Sequence, residues 1–355
     1  MNVRVLILGA GTGAANNLVR SLKAGDSSLT IVGVQSDRFT LCRSSADRKY
    51  LVPKIEDPEF LDALTRVVRK EAIDLIFPNT DAEVDLVSRL RHKLGCRVFL
   101  PAQRTIELCT DKYQLGLLLR EHAMPAPLTY PIEQLHEVEG IWAKFDRPSK
   151  LWCRMRVGAG SMGALPVVTP AQVRAWIEYW QDMRDVPSGV FTLSEYLPGR
   201  DFACQTLWND GKLVLLKTVE RLAYFGGSGR PSGVSSIAAV AKTVDDSRVA
   251  AICEQAICAI DPAASGAFSV DLKEDASGVP NISEINVGRF ITMMNFFDFV
   301  GAFNMSATYV KLALGQPIEI ADPYDFADDY YFVRDVDTTP TIVHVDRLFD
   351  DIETP

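Results

Sequence analysis

Asp271 and the run Glu284-Ile285-Asn286, with Arg289 three residues beyond, carry the densest chemistry in this 355-residue sequence. In an extended strand alternate side chains share a face, so Glu284 and Asn286 point the same way. With Asp271 on the neighbouring strand, three oxygen donors converge. That hard set suits magnesium, which takes near-octahedral oxygen coordination and commonly shares it with substrate phosphates. Arg289 then stands where it can neutralise a terminal phosphate. A solvated strand edge is the plainer reading of any one of these groups; it fits the four together less well.

Other groups suit a nucleotide. Arg154 ends an apolar run and precedes Gly158-Ala159-Gly160-Ser161-Met162-Gly163, a loop flexible enough to close over phosphates and offer amide donors. Lys112 follows Asp111 at a helix start; taken singly, Lys112 and Arg154 also read as surface cations. Ser194-Glu195-Tyr196-Leu197-Pro198-Gly199-Arg200-Asp201 reads as a strand, a turn and a second strand. Asp201 either accepts two ribose hydroxyl protons or closes a polar hairpin. Gly9-Ala10-Gly11-Thr12-Gly13-Ala14 matches the glycine turn of a dinucleotide site, but the acid that should hold a ribose is replaced by Gln35-Ser36, with Asp37 arriving late. A tight strand-to-helix turn is the competing reading. Asp81 and Glu83 fall at the carboxyl edge of a third strand, where open α/β sheets bind ligands, although Asp81 equally suits a helix N-cap.

Two kinds of architecture are needed to position these residues. Strands at 3–8, 30–34, 74–77 and 97–100 alternate with helices to about 23, from 58 and from 81, the pattern of a doubly wound parallel sheet. The pattern changes over 101–111, and the prolines of 124–127 mark a junction. Beyond it, strands at 151–156, 190–197, 202–208 and 213–220 succeed one another through turns, which indicates antiparallel pairing. A helix at 245–260, strands at 267–273 and 281–285, and a helix at 305–314 complete the pattern. The length fits two or three domains, and 47% hydrophobic with 23% charged residues is a globular balance. Net charge is −9, but residues 322–355 hold ten acids and two arginines, leaving the body close to neutral. There is no basic stripe, which argues against nucleic acid. Apolar runs are too short for a signal peptide or membrane span, so a cytoplasmic location is expected. Seven scattered cysteines and four distant histidines give neither a disulfide framework nor a zinc spacing.

The order of the pieces is Asp-Lys, an arginine before a glycine flap, Glu-Tyr-Leu-x-Gly-x-Asp, a strand aspartate, then Glu-Ile-Asn with an arginine. Over about residues 1–320 this order resembles the ATP-grasp superfamily, and within it single-copy proteins that look like half of the carbamoyl phosphate synthase large subunit. The resemblance implies an α/β N-terminal pre-ATP-grasp domain (a Rossmann-like parallel sheet) over 1–110 and an α+β ATP-grasp fold over 111–321. It places a small lid subdomain at about 125–193 and leaves 322–355 as an acidic C-terminal extension. It implies ATP and magnesium, with manganese as a substitute. Lys112 and Arg154 would contact the ATP phosphates under a lid of Gly158, Gly160, Ser161 and Gly163. Glu195, Tyr196 and Leu197 would form the hinge that reads adenine, with Asp201 on the ribose. Asp271, Glu284 and Asn286 would be the metal ligands, and Arg289 with Arg154 would be catalytic.

The sequence departs from that pattern in places. Arg154 stands for the commoner lysine and Met155 for a proline, and Asn286-Val287-Gly288-Arg289 displaces the arginine of Asn-Pro-Arg by one residue. Lys217 and Arg221 read equally as phosphate or acceptor contacts and as a solvated face. The implied reaction activates a small-molecule carboxylate as an acyl phosphate for attack by an amine, releasing ADP and phosphate. Its rivals are bicarbonate or carbamate phosphorylation like that of carbamoyl phosphate synthase, and an NAD-binding oxidoreductase built on the first glycine turn. A homodimer is expected from the resemblance.

Overall fold

A computed structural model describes residues 3–158, 160–235, 237–293, 297–327, 329–335 and 341–347. The first strands are β1 (Arg4–Ile7), β2 (Thr30–Gln35), β3 (Arg48–Leu51) and β4 (Leu75–Phe77), parallel in the order β3-β2-β1-β4. Val5, Leu6, Ile7, Leu75 and Ile76 are all fully buried, as strands covered by helices on both faces require. Thr12 caps the helix Gly13–Gly25, and Thr80 with Glu83 forms a capping box on the helix Asp81–Arg89. Asp81 is therefore not the cap, and its carboxylate is left for another partner.

Two departures from the sequence pattern lie at the two edges of this sheet. The strand expected at 97–100 shrinks to a single bridge between Leu75 and Arg97, while the unforeseen β3 forms from Arg48-Lys49-Tyr50-Leu51. β3 lies at a sheet edge, and its register comes from polar contacts rather than from an apolar alternation. Glu71, fully buried, accepts hydrogen bonds from Arg4, Arg48 and Tyr50.

The second part contains two antiparallel sheets. In the smaller, β5 (Thr129–Ile132), β6 (Leu151–Met155), β7 (Leu165–Val167) and β8 (Phe191–Glu195) run in the order β5-β8-β6-β7. The helices Val138–Trp142 and Pro170–Arg184 cover it through Val138, Ile141, Val173 and Ile177. The larger sheet contains β9 (Asp201–Asn209), β10 (Lys212–Tyr224), β11 (Ala238–Thr243), β12 (Gly266–Glu274), β13 (Pro280–Val287), β14 (Tyr330–Val333) and β15 (Thr341–His344). Its order is β13-β12-β9-β10-β11-β14-β15. The β9–β10 hairpin turns at Asp210 and Gly211, both at positive φ, the conformation of a two-residue hairpin loop.

The stretch expected as a separate acidic extension enters this sheet instead. β14 pairs with β11, and Asp325 lies buried against Lys217; residues 348–355 lie outside the described residues. Lys217 meets neither of its sequence expectations. It is buried between Asp298 (3.0 Å) and Asp325 (3.2 Å) and donates to the Phe303 carbonyl (2.7 Å), away from solvent. Among the described residues no helix is long and apolar enough to cross a membrane.

Candidate active site

A cleft of about 580 Å³ opens between the two antiparallel sheets, with Ala14 and Asn79 of the N-terminal domain and Arg334 near the chain end also on its walls. Its floor is the β12–β13 ladder. Asp271 and Glu284 are direct cross-strand partners, and a bulge follows at Asp271/Leu272. Asn286, two residues on and on the same face, donates from Nδ2 to Asp271 Oδ2 (3.3 Å) and to Glu284 Oε1 (3.4 Å). The structure thus brings the three oxygen-bearing residues together.

Cations hold these acids in place. Arg221 donates to both Asp201 and Asp271, and Lys112 Nζ lies 3.2 Å from Glu284 Oε2. Burial, reinforced by the Glu284 charge and opposed by Arg221, pushes the Asp271 carboxyl up to about 7. Burial acts on Glu284 in the same direction, but Lys112 and Arg154 outweigh it and hold that carboxyl down to about 2. Two facing carboxylates supply hard oxygens of the kind magnesium takes, while the Asn286 amide beside them turns its Nδ2 to the acids and its Oδ1 to Arg289. Among the described residues no cluster of three or more His, Cys, Asp or Glu side chains suits a metal, which leaves this mixed set as the candidate.

Lys112 is placed by its neighbour. Asp111 accepts from the Tyr113 and Gln114 amides at the start of the helix Lys112–Glu121, and also takes Arg156, just beyond β6 of the smaller sheet. Lys112 Nζ donates in addition to the Gly158 carbonyl (2.8 Å), so one ammonium touches both the glycine loop and the acid floor. Arg154 donates to the Ser283 carbonyl (2.8 Å), while its buried Nε has no hydrogen-bond partner. Burial pulls its pKa down against the fields of Glu284 and Asp271. A buried, charged N–H with no protein acceptor is costly unless a ligand supplies one, and a phosphate oxygen does so.

Gly158, Gly160 and Ser161 line the cleft, and Ala159 lies outside the described residues. Gly163 is set back from it: a Cβ there would lie 3.0 Å from Met155, and its carbonyl accepts from Trp176 Nε1. At the opposite wall β8 ends at Glu195, short of the strand expected through 197, because Pro198-Gly199 turns the chain. Tyr196 and Leu197 consequently reach the cleft with backbone groups outside the strand ladder. The Glu195 carboxylate accepts from the Leu128 amide (2.7 Å), tying the end of β8 to the chain entering β5. Trp152, which no motif marked, lines the same wall with its ring 6.3 Å from Tyr196. Asp201 reaches the cleft with its oxygens on Arg221 (3.0 Å) and the Tyr224 hydroxyl (2.7 Å).

Arg289 joins the two domains. It donates to Asp81 Oδ1 (2.7 Å) and to Asn286 Oδ1 (2.6 Å). The one-residue displacement of this arginine is absorbed by Gly288, at φ +72, where a Cβ would strike Leu100 and Val84. Sequence reasoning had no means of assigning Arg221 or Tyr224 to this network, since pairing across β9 creates it, and it passed over Arg334 in a charged tail without a motif.

The first glycine turn serves packing. A Cβ on Gly11 would lie 1.8 Å from the Thr40 carbonyl oxygen, and Asp37 accepts from the Thr40 amide (2.7 Å) as cap of the short helix Arg38–Cys42. A fluorescence titration with NADH is expected to show no saturable binding; a saturable signal reinstates the dinucleotide reading.

Residues 5–99 match the family model described as the PylC-like N-terminal domain. No curated protein sequence matches the chain. Among solved structures, the L-amino acid ligase from Bacillus licheniformis aligns with a TM-score of 0.69 at 14% identity, over 93% of this chain and 79% of that one. A biotin carboxylase from Campylobacter jejuni, in a complex with β-γ-ATP, gives 0.71 at 13% over 92% and 74%. N5-carboxyaminoimidazole synthetase from Staphylococcus aureus, complexed with ADP, gives 0.69 at 12% over 94% and 82%. The fold is that of the ATP-grasp proteins, as expected: a parallel N-terminal sheet followed by antiparallel sheets.

Proposed function

We propose that the protein is an ATP-dependent ligase that activates a carboxylate as an acyl phosphate for attack by an amine, releasing ADP and phosphate. One observation carries the reading: Asp271, Glu284 and Asn286 share a face on β12 and β13, with Lys112, Arg154 and Arg289 around the same cleft. Phosphoryl transfer asks little covalent work of a protein and depends on positioning and charge. Arg154 and Lys112 bind the phosphates, Lys112 also fixing the loop at Gly158, Gly160 and Ser161. Tyr196 and Leu197 present backbone to adenine, and Asp201 receives the ribose. Magnesium, or manganese in its place, would be held by Asp271, Glu284 and Asn286 and would supply charge neutralisation on the phosphates. Arg289 orients the acceptor and stabilises the transferred phosphate. Closure of the glycine loop keeps water from the acyl phosphate.

A panel assay tests this: ADP release in the presence of magnesium should require one carboxylate and one amine together. Absence of ATP binding sinks the proposal, and stimulation of ATP hydrolysis by bicarbonate alone favours the reaction of carbamoyl phosphate synthase. Arg154→Ala removes a charge-assisted phosphate contact of about 1.5–3 kcal/mol, so the ATP concentration for half-maximal rate should rise roughly 10- to 100-fold. An unaltered ATP requirement removes Arg154 from the site.

A further inference from the structure

Beyond Arg289 the cleft changes character. The segments 232–238 and 291–293 contribute Val234, Ile237, Ile291 and Met293 to its walls, with Ser232, Ser235 and Thr292 between them, and Arg334 adds a charged side chain to the same lining. Arg334 belongs to the segment following β14 that the sequence pattern left unused. Its Nε donates to the Ala238 carbonyl (2.9 Å) and its guanidinium carbon lies 5.3 Å from the centre of the Phe332 ring, so the head group is held in one orientation. Unlike Arg221 and Arg289, it has no carboxylate in ion-pair range among the described residues. Burial without a compensating acid depresses its pKa.

A half-buried guanidinium on the wall of a cleft is the group best shaped to take a carboxylate through two parallel hydrogen bonds. Among the described residues lining the cleft, no carboxylate is left without a partner to receive an ammonium. The carboxylates lining the cleft are Glu195, Asp201, Asp271 and Glu284, and each is already engaged by a cation or a backbone amide.

We infer that Arg334 anchors a second carboxylate on the substrate whose first carboxylate is activated, so that the substrate class is a dicarboxylate with an apolar spacer. This rests on the ligase reading above and names its substrate. The apolar walls receive the spacer, and the absence of a free acid among the described lining residues disfavours α-amino acids carrying a free ammonium.

The test is calorimetric binding to the full chain with magnesium and a nonhydrolysable ATP analogue. Glutarate and adipate are compared with butyrate and hexanoate, and glutarate with glutamate. In the wild type a dicarboxylate should bind about tenfold or more tighter than its monocarboxylate counterpart. Arg334→Gln should lose that advantage, and Arg334→Lys should restore it only in part, since a point charge lacks the bidentate geometry. Nucleotide affinity should be unchanged in both variants, which also certifies their folding; if Arg334→Gln fails that control, the wild type and Arg334→Lys decide. Equal affinity for mono- and dicarboxylates, no dicarboxylate binding, an advantage that survives in Arg334→Gln, or a preference for glutamate each overturns the inference. Loss of nucleotide binding in the wild type strikes at the ligase reading itself, whereas intact nucleotide binding without a dicarboxylate preference strikes at this inference alone.

Discussion

Glu284→Ala is expected to reduce ADP formation, basal or substrate-dependent, by more than about 100-fold, the scale on which removal of one preorganised charge-stabilising group acts. Glu284 is the direct cross-strand partner of Asp271, an ion-pair partner of Lys112 and a source of the field that compensates buried Arg154. Removing it takes one of two carboxylates from the candidate metal set and frees both cations from the geometry that aims them at phosphate. The fold should survive. The side chain opens into the cleft, alanine leaves the β13 ladder intact, and Arg154 keeps the Ser283 carbonyl and the field of Asp271. The loss of stability should therefore stay below the ~3–5 kcal/mol typical of breaking a fully buried pair. Glu284→Gln, which preserves shape and removes charge, should fail catalytically to a similar degree. Unchanged ADP formation in both variants, with circular dichroism melts close to wild type, overturns the metal assignment.

The residues of this floor were legible in the sequence for a definite reason. Glu284, Asn286 and Asp271 sit on strands, and the two-residue period of a strand turns spacing into a shared face without further information. β1, β2 and β4 were legible through continuous apolar runs that only a covered parallel strand tolerates. What the sequence concealed depends on long-range pairing. β3 is an edge strand whose polar residues are held by Glu71, and no local pattern encodes that contact. Arg221 reaches Asp271 only because β12 lies on one side of β9 and β10 on the other. Arg334 lies in the most acidic stretch of the chain, where composition reads as a solvated tail, and β14 alone draws it to the cleft. Lys217 did leave a trace: it interrupts the run Leu215-Leu216-Lys217-Thr218-Val219, and a lone cation in a central strand implies buried partners.

Lys217→Ala is expected to cost about 3–5 kcal/mol, because it leaves Asp298 and Asp325 buried without their shared cation. The side chains of all three are at most 4% exposed, so water cannot take the place of the ammonium. The two acids differ in what remains to them. Among the described residues, Asp298 keeps the Ser21 hydroxyl, the Ser306 hydroxyl and the Met305 and Ser306 amides, while Asp325 keeps the Ala302 and Phe303 amides. Asp325 should bear more of the penalty. Adding Asp325→Ala to Lys217→Ala should thus recover stability, and a double-mutant cycle should give a coupling well beyond the ~0.5 kcal/mol of independent sites. In thermal melts the single variant should fall by roughly 5–15 °C. Through Ser21 the network reaches the N-terminal domain. Through Asp325 it holds the segment that leads into β14 and Arg334, and through Asp298 the segment that follows Met293. Near-wild-type melting of Lys217→Ala, or strict additivity in the cycle, refutes the claim that this buried cation ties the domains together. Additivity would leave each acid held by its own backbone amides, with the lysine a passenger between them.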